Sequence, residues 1–258
     1  MKYIRNFAEH TDYEAEMSKI PTPSVSYCRK ENECHFMPSN VIMFKVGDLN
    51  GNTNQKVMVY YYEGEHDTIP IVEGNRWYVI TIPSGKILNQ FVGNDFITDT
   101  IISAKLSLDF SSNGLLPKIH GNATLIGCDI SELTSINHLF YWGGELTSLT
   151  VDGLDTSNIT NMNYAFYMCG GLKNLDLSTW VTSNVTRMTS MFESCRSLQV
   201  LNISGWDLTK VNYTDSMFSG CSSLRTIYMR NCSQATIDKI KSQLETDGIL
   251  NNVTIITE

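Results

Sequence analysis

Four phenylalanines set the frame of this chain: Phe140, Phe166, Phe192 and Phe218 follow one another at a step of 26 residues. Leu146, Leu172, Leu198 and Leu224 keep that step, as do Leu149, Leu175, Leu201 and Ile227, and then Val151, Leu177, Ile203 and Met229. Another column runs Leu133, Ile159, Val185, Val211, and Cys169, Cys195 and Cys221 form one more, with Gly143 in the slot before them. Columns kept in phase over four repeats mean that one supersecondary unit recurs. Such units stack, because none can bury its apolar side alone.

Within a unit, Leu172-Lys-Asn-Leu-Asp-Leu177 ends in the alternation of a half-buried strand. Asn184 to Phe192 places Val185, Met188, Met191 and Phe192 at offsets of three, six and seven, which predicts a short helical turn. One repeat therefore reads as helix, turn, strand, loop, with parallel strands about 4.8 Å apart. Each fully buried Phe contributes roughly 1.5–3 kcal/mol. Stacks need covered ends. Ser233 is a good N-cap, Ile237, Ile240 and Leu244 share a helical face, and Gly248 is a stop signal. A capping helix over 234–247 and a last strand over Val253 to Ile256 follow.

Upstream, Thr11-x-x-Glu14 forms a capping box for a short helix that Pro21 and Pro23 end. Val25 to Cys28 and Glu33 to Phe36 then predict a hairpin, with Cys28 and Cys34 flanking its turn. Beyond it, Val41 to Val46, Lys56 to Tyr62, Arg76 to Ile82 and Ala104 to Phe110 are rich in β-branched and aromatic residues. The expected fold class is α+β or β-rich. It comprises an N-terminal helix–hairpin module for attachment or oligomerisation (1–38), a β-sandwich-like domain (39–118), a leucine-rich-repeat-like solenoid (119–232) and a helix–strand cap (233–258).

Charge bounds the partners. The formal net charge is −8 and no basic run or aromatic–basic stripe occurs, which speaks against nucleic acid. No stretch approaches 18 apolar residues, so membrane insertion is not expected. The first ten residues carry no apolar secretory core. Seven cysteines cannot all pair, and three belong to the repeat column; buried free thiols and a reducing folding compartment are expected. The Asn-x-Ser/Thr triplets at Asn158, Asn184, Asn202 and Asn212 read as by-products of the repeat.

Catalytic and metal signatures are weak. Glu63-Gly-Glu-His-Asp67 could hold a cation, but a solvated turn between strands is the plainer reading. Cys28, Cys34 and His35 are too few for a zinc motif. His10, His35, His66, His120 and His138 show no ligand spacing, and no nucleophile elbow, zincin or phosphate-loop pattern occurs. No catalytic residue, cofactor or metal is expected. Trp180 and Trp206 share a repeat slot with Leu154 and Cys128, which marks a core position, the alternative being a platform for sugar stacking. Strand positions between the leucines should point outward as a polar grid. The candidate binding face is Thr150, Asp152, Lys173, Asn174, Asp176, Gln199, Asn202, Arg225, Tyr228 and Arg230.

Asn184-Val-Thr-Arg-Met-Thr-Ser-Met-Phe-Glu-Ser-Cys-Arg-Ser-Leu-Gln-Val-Leu-Asn-Ile-Ser-Gly-Trp206 closely resembles the repeat of the BspA-like leucine-rich repeat surface proteins, over about residues 125–232. The first repeat departs from it, with Gly143 for Cys and His138-Leu139 for x-Met. That resemblance implies adhesion or interaction at a bacterial surface, without catalysis. Asn6 to Ala15 and Pro23 to Pro38 resemble an N-terminal module of gut bacteriophage structural proteins. Together these favour a virion component, such as a head or tail fibre or a decoration protein, folded in the host cytoplasm. It would be a homo-oligomer that contacts other virion proteins or a host-surface protein or glycan. The alternative is a bacterial cell-surface adhesin; a carbohydrate-active enzyme using Glu63, Glu65 and Asp67 is the remaining reading.

Overall fold

A computed structural model describes residues 4–7, 25–30, 33–37, 40–52, 54–62, 65–107 and 114–258. Its strands are β1 (Ile4–Phe7), β2 (Val25–Lys30), β3 (Glu33–Met37), β4 (Val41–Val46), β5 (Gln55–Tyr61), β6 (His66–Ile71), β7 (Arg76–Thr81), β8 (Leu88–Val92), β9 (Ile97–Ser103) and β10 (Gly121–Ile126). They continue with β11 (Leu146–Asp152), β12 (Asn174–Asp176), β13 (Val200–Asn202), β14 (Thr226–Tyr228) and β15 (Thr254–Ile256). One α-helix, α1 (Gln234–Thr246), stands among the described residues.

Six strands pair in the order β1-β7-β4-β9-β10-β11. The sheet is antiparallel from β1 to β9 and parallel from β9 to β11. In β4, Ile42, Phe44 and Val46 enter the main core, whereas Val41 and Met43 pack on the opposite face with Val79 and Ile126. Burial on both faces is why this strand reads as an almost unbroken apolar run. Strands β6-β5-β8 form an antiparallel sheet of three. Phe44 stacks on Tyr78 at 5.2 Å and meets Phe91 of β8 at 5.3 Å, so the two sheets share one interior.

The repeats continue that interior. Strands β12-β13-β14-β15 pair in parallel, with Asn174 opposite Val200 and Val200 opposite Thr226, each step being 26 residues. A second line of parallel bridges links Ser135, Asn161, Arg187 and Tyr213. Between the two lines the phenylalanines stack: ring centroids are 5.2 Å apart for Phe140 and Phe166, 5.5 Å for Phe166 and Phe192, and 5.7 Å for Phe192 and Phe218. A Cβ at Gly171 would come within 2.5 Å of the Leu146 carbonyl oxygen, so only glycine lets the chain pass this close to β11.

The expected fold class requires correction. The described residues are mostly β, in sheets that are mixed, antiparallel and parallel, with a single helix, and do not form a helix–hairpin module, a β domain and a leucine-rich-repeat-type solenoid in series. At the N-terminus, β1 joins the edge of the six-stranded sheet through β7. The helix read from Thr11 and Glu14 falls outside the described residues. β2 and β3 do pair antiparallel, with Cys28 opposite Cys34. In the repeats, the predicted helical turns are successive tight turns. Met191 N–H bonds Met188 C=O and Cys195 N–H bonds Phe192 C=O, while the N–H groups of Met188, Ser190, Phe192 and Ser194 reach Tyr213, Asp215, Met217 and Ser219 in the next repeat. An α-helix keeps its bonds within the segment. Here alternate N–H groups bond the neighbouring repeat, and the apolar offsets that suit a helix also suit this path.

Candidate functional site

The polar residues proposed for a binding face lie on or beside β11 to β14. Thr150 is exposed on β11, which Asp152 ends. Lys173 and Gln199 are exposed just before β12 and β13. Asn174 and Asp176 flank buried Leu175, Asn202 and Tyr228 are half-buried, and Arg225 and Arg230 are exposed. The register sets Asp176 beside Asn202 and Asn202 beside Tyr228.

Much of this grid is engaged with itself. The Asn202 amide donates to Asp176 Oδ2 at 3.0 Å, and Asp176 Oδ1 accepts from Ser178 N–H and Oγ–H at 2.9 and 2.7 Å. Burial raises the Asp176 carboxyl, but the bonds from Ser178 and Asn202 outweigh it and hold the group below its ordinary value. Asn202 Oδ1 holds Ser204 in the same way. The Arg225 guanidinium bonds the carbonyls of Ser222 and Leu224. Arg230 lies 5.1 Å over the Tyr228 ring and donates to the Glu258 carbonyl at 2.8 Å. Among the described residues no hydrogen bond or ion pair engages the side chains of Lys173, Asn174 or Gln199.

Other repeat columns prove to be clamps between repeats. Cys169, Cys195 and Cys221 donate their thiols to the carbonyls of Phe140, Phe166 and Phe192 at 3.1, 3.1 and 3.0 Å. All three are free and buried. Burial pushes Cys169 and Cys221 up to about 12 and Cys195 well above its ordinary value, so each is a neutral donor and no nucleophile. Asn158 and Asn184 donate to the carbonyls of Ser131 and Ser157, which gives the recurring Asn a structural cause. Thr156 and Thr182, buried, each accept a main-chain N–H and donate to a carbonyl in the following repeat. The sequence reading missed this Thr pair, whose signal was an identical polar residue in a buried slot.

The candidates for chemistry are dispersed. Glu63 falls outside the described residues. Glu65 pairs with Lys86, and Asp67 accepts the Tyr61 hydroxyl at 3.0 Å. Burial, then Asp67, pushes that phenol far up. His66 stacks on Tyr60 at 5.2 Å. His10 is outside the described residues and His35 lies on β3. His120 Nε2 stands 3.2 Å from Asp95, and Glu145 lies 3.7 Å from Nδ1. Among the described residues no group of three or more His, Cys, Asp or Glu is placed to hold a metal. A cleft of about 30 Å³ beside Lys105, Asp129 and Glu132 has room for little more than a water.

Trp180 and Trp206 are 2% and 1% exposed, which rules out the sugar-stacking alternative at those positions. Trp206 Nε1 donates to the Leu177 carbonyl at 2.9 Å. The exposed aromatics stand elsewhere, at Tyr62, Trp142 and Tyr213, where sequence reasoning did not look. No helix among the described residues is long and apolar enough to cross a membrane.

Residues 122–246 match the family model described as Mycoplasma protein of unknown function, DUF285. The match covers just under half of the chain, from within β10 to the end of α1. It takes in the whole stretch on which the BspA-like resemblance rests and is consistent with that resemblance. The phage-like reading of residues 6–38 has no counterpart in these comparisons. No curated protein and no solved structure matches the chain.

Proposed function

We propose that this chain is a non-enzymatic interaction protein of the bacterial cell surface, which meets its partner through the parallel-strand face. The family match over the repeats supports the surface reading, and nothing in the comparisons supports a virion component. The observation that carries the proposal is how the polar groups are used. The thiols, amides and hydroxyls of the repeat columns are bonded between repeats, while Lys173, Asn174 and Gln199 stand exposed and unengaged at the start of β12 and just before β12 and β13. Exposed groups repeated beside parallel strands are what stacked repeats offer a macromolecular partner.

Surface exposure is tested by brief trypsin treatment of intact source cells. Peptides of this chain should be released before any cytoplasmic marker, and their appearance only after lysis would refute the surface placement. The face is tested by Lys173→Glu with Gln199→Glu. This pair should abolish cross-linking to the surface partner while the melting temperature stays near that of the parent; undiminished cross-linking would move the site elsewhere.

A further inference from the structure

The tight-turn segments before the cysteine column share one backbone path, yet their outward positions are filled differently along the stack. His138, Trp142, Tyr164 and Met168 hold positive φ of 64°, 61°, 56° and 60°. At the same places one or two repeats later stand Ser190, Ser194, Ser216 and Gly220, at 53°, 62°, 56° and 75°. A left-handed conformation is uncommon for a bulky side chain and marks a position worth a functional explanation. The later repeats show that this path closes with small residues, so the fold itself does not call for the large ones.

These large residues form one cluster with their neighbours. Tyr141 stacks on Tyr167 at 5.0 Å and 12°, and His138 on Tyr164 at 5.1 Å and 10°. Trp142 lies 6.4 Å from Tyr141 and is 60% exposed, so much of its indole is in water. The Tyr141, Tyr164 and Tyr167 hydroxyls make no hydrogen bond among the described residues, and none of them is a buried atom lacking a partner. They are therefore open to solvent. Burial holds the His138 imidazole below its ordinary value, so it is a neutral hydrogen-bonding group at pH 7.

We propose that Trp142, Tyr141, Tyr167, Tyr164 and His138 form a carbohydrate-binding platform that seats one or two pyranose rings. An exposed indole suits the C–H face of a sugar, and a row of unengaged phenol hydroxyls beside it suits the sugar's hydroxyls. Size favours this occupant over a protein. The cluster spans two repeats, roughly 10 Å at the spacing of parallel strands, and ends where Ser190, Glu193 and Ser194 begin. A stable protein interface needs about 800 Å² from each partner. A cation finds fewer ring faces here, because pairwise stacking covers one face of each of Tyr141, Tyr167, Tyr164 and His138. The platform lies on the turn segments, not the strands, so it does not rest on the strand-face reading.

Trp180 and Trp206 are buried and Trp77 is half-buried, so Trp142 supplies most of the emission that acrylamide can quench. The full chain is titrated with chitotetraose, cellotetraose, maltotetraose and lactose, and separately with choline. At least one sugar should give a saturable change and protect that emission from acrylamide. Affinity is then followed by calorimetry: Trp142→Ser should weaken it roughly tenfold or more without lowering the melting temperature. Tyr141→Phe with Tyr167→Phe keeps the stack and removes only hydroxyls; it should weaken binding about fivefold. No saturable response to any sugar up to about 10 mM overturns the proposal. So does a response to choline alone, self-association that Trp142→Ser abolishes in the absence of sugar binding, unchanged sugar affinity in Trp142→Ser, or a lowered melting temperature in that variant.

Discussion

Cys128, Cys169, Cys195 and Cys221 couple the protein's stability to alkaline pH. All four are buried, and burial raises each thiol, to about 12 for Cys128, Cys169 and Cys221. An unfolded thiol ionises near 8.5. A group whose folded value lies above its unfolded value gives its full contribution below the unfolded value and loses it as pH rises toward the folded one. Each thiol therefore lowers stability by roughly 1.4 kcal/mol per pH unit above about pH 8.5. The urea midpoint should fall steeply between about pH 8.5 and 10.5. Cys195→Ala should make that fall shallower, while costing about 1–2 kcal/mol at pH 7 through the lost sulfur volume and the lost bond to Phe166. A midpoint that stays flat over this range would show that the thiols ionise without opening the stack. At this scale the cysteine column was legible as buried and free. Its hydrogen bonds were not, because a 26-residue period gives a residue's neighbours in the stack but not the direction of an S–H.

The terminal element shows what the last repeat requires. Phe166 and Phe192 donate their N–H groups to Met191 and Met217 in the next repeat, and Phe218 has no such repeat to meet. Its N–H instead bonds Asp247 Oδ2 at 2.9 Å, just after α1. Lys239 on the same helix donates to the carbonyls of Leu208 and Val211, and Thr214 donates to Gln243. Asp247→Ala should leave the Phe218 N–H buried and unpaired and cost about 1–3 kcal/mol in chemical denaturation. Asp247→Asn keeps an acceptor and should cost less. Equal losses for both would mean that the carboxylate charge, not its acceptor role, matters. The bounds of α1 could be read from Ser233 and Gly248 because caps act locally: Ser233 Oγ accepts Thr236 N–H. The repeat turns were misread because their apolar spacing is compatible with a helix, and what excludes one is hydrogen bonding to another repeat, which no local window contains.

Over the whole molecule, one apolar cluster runs without a break from Ile42 of β4 to Leu244 of α1. The β9–β10 and β10–β11 ladders join the antiparallel strands to the parallel ones. Strand-forming runs located β2 to β5 and β7 but missed β1, β6, β8, β9 and β10. That residues on either side of 118 share a sheet was hidden, because β9 and β10 pair although they stand far apart in the sequence, and the β10 register to β11 slips between Gly121 and Asn122. Stacked repeats with weak coupling would lose structure one at a time. A shared core and shared ladders instead demand that damage spread. Phe192 stacks between Phe166 and Phe218 and is fully buried, so Phe192→Ala should remove about 3–5 kcal/mol. With one cooperative unit, the loss of amide protection in native-state exchange should be the same for the slowest amides of β4 and β9 as for those of β13. If β4 and β9 kept their protection while β13 lost it, the antiparallel strands would be a separately stable body, and the continuity of the core would carry no cooperativity across it.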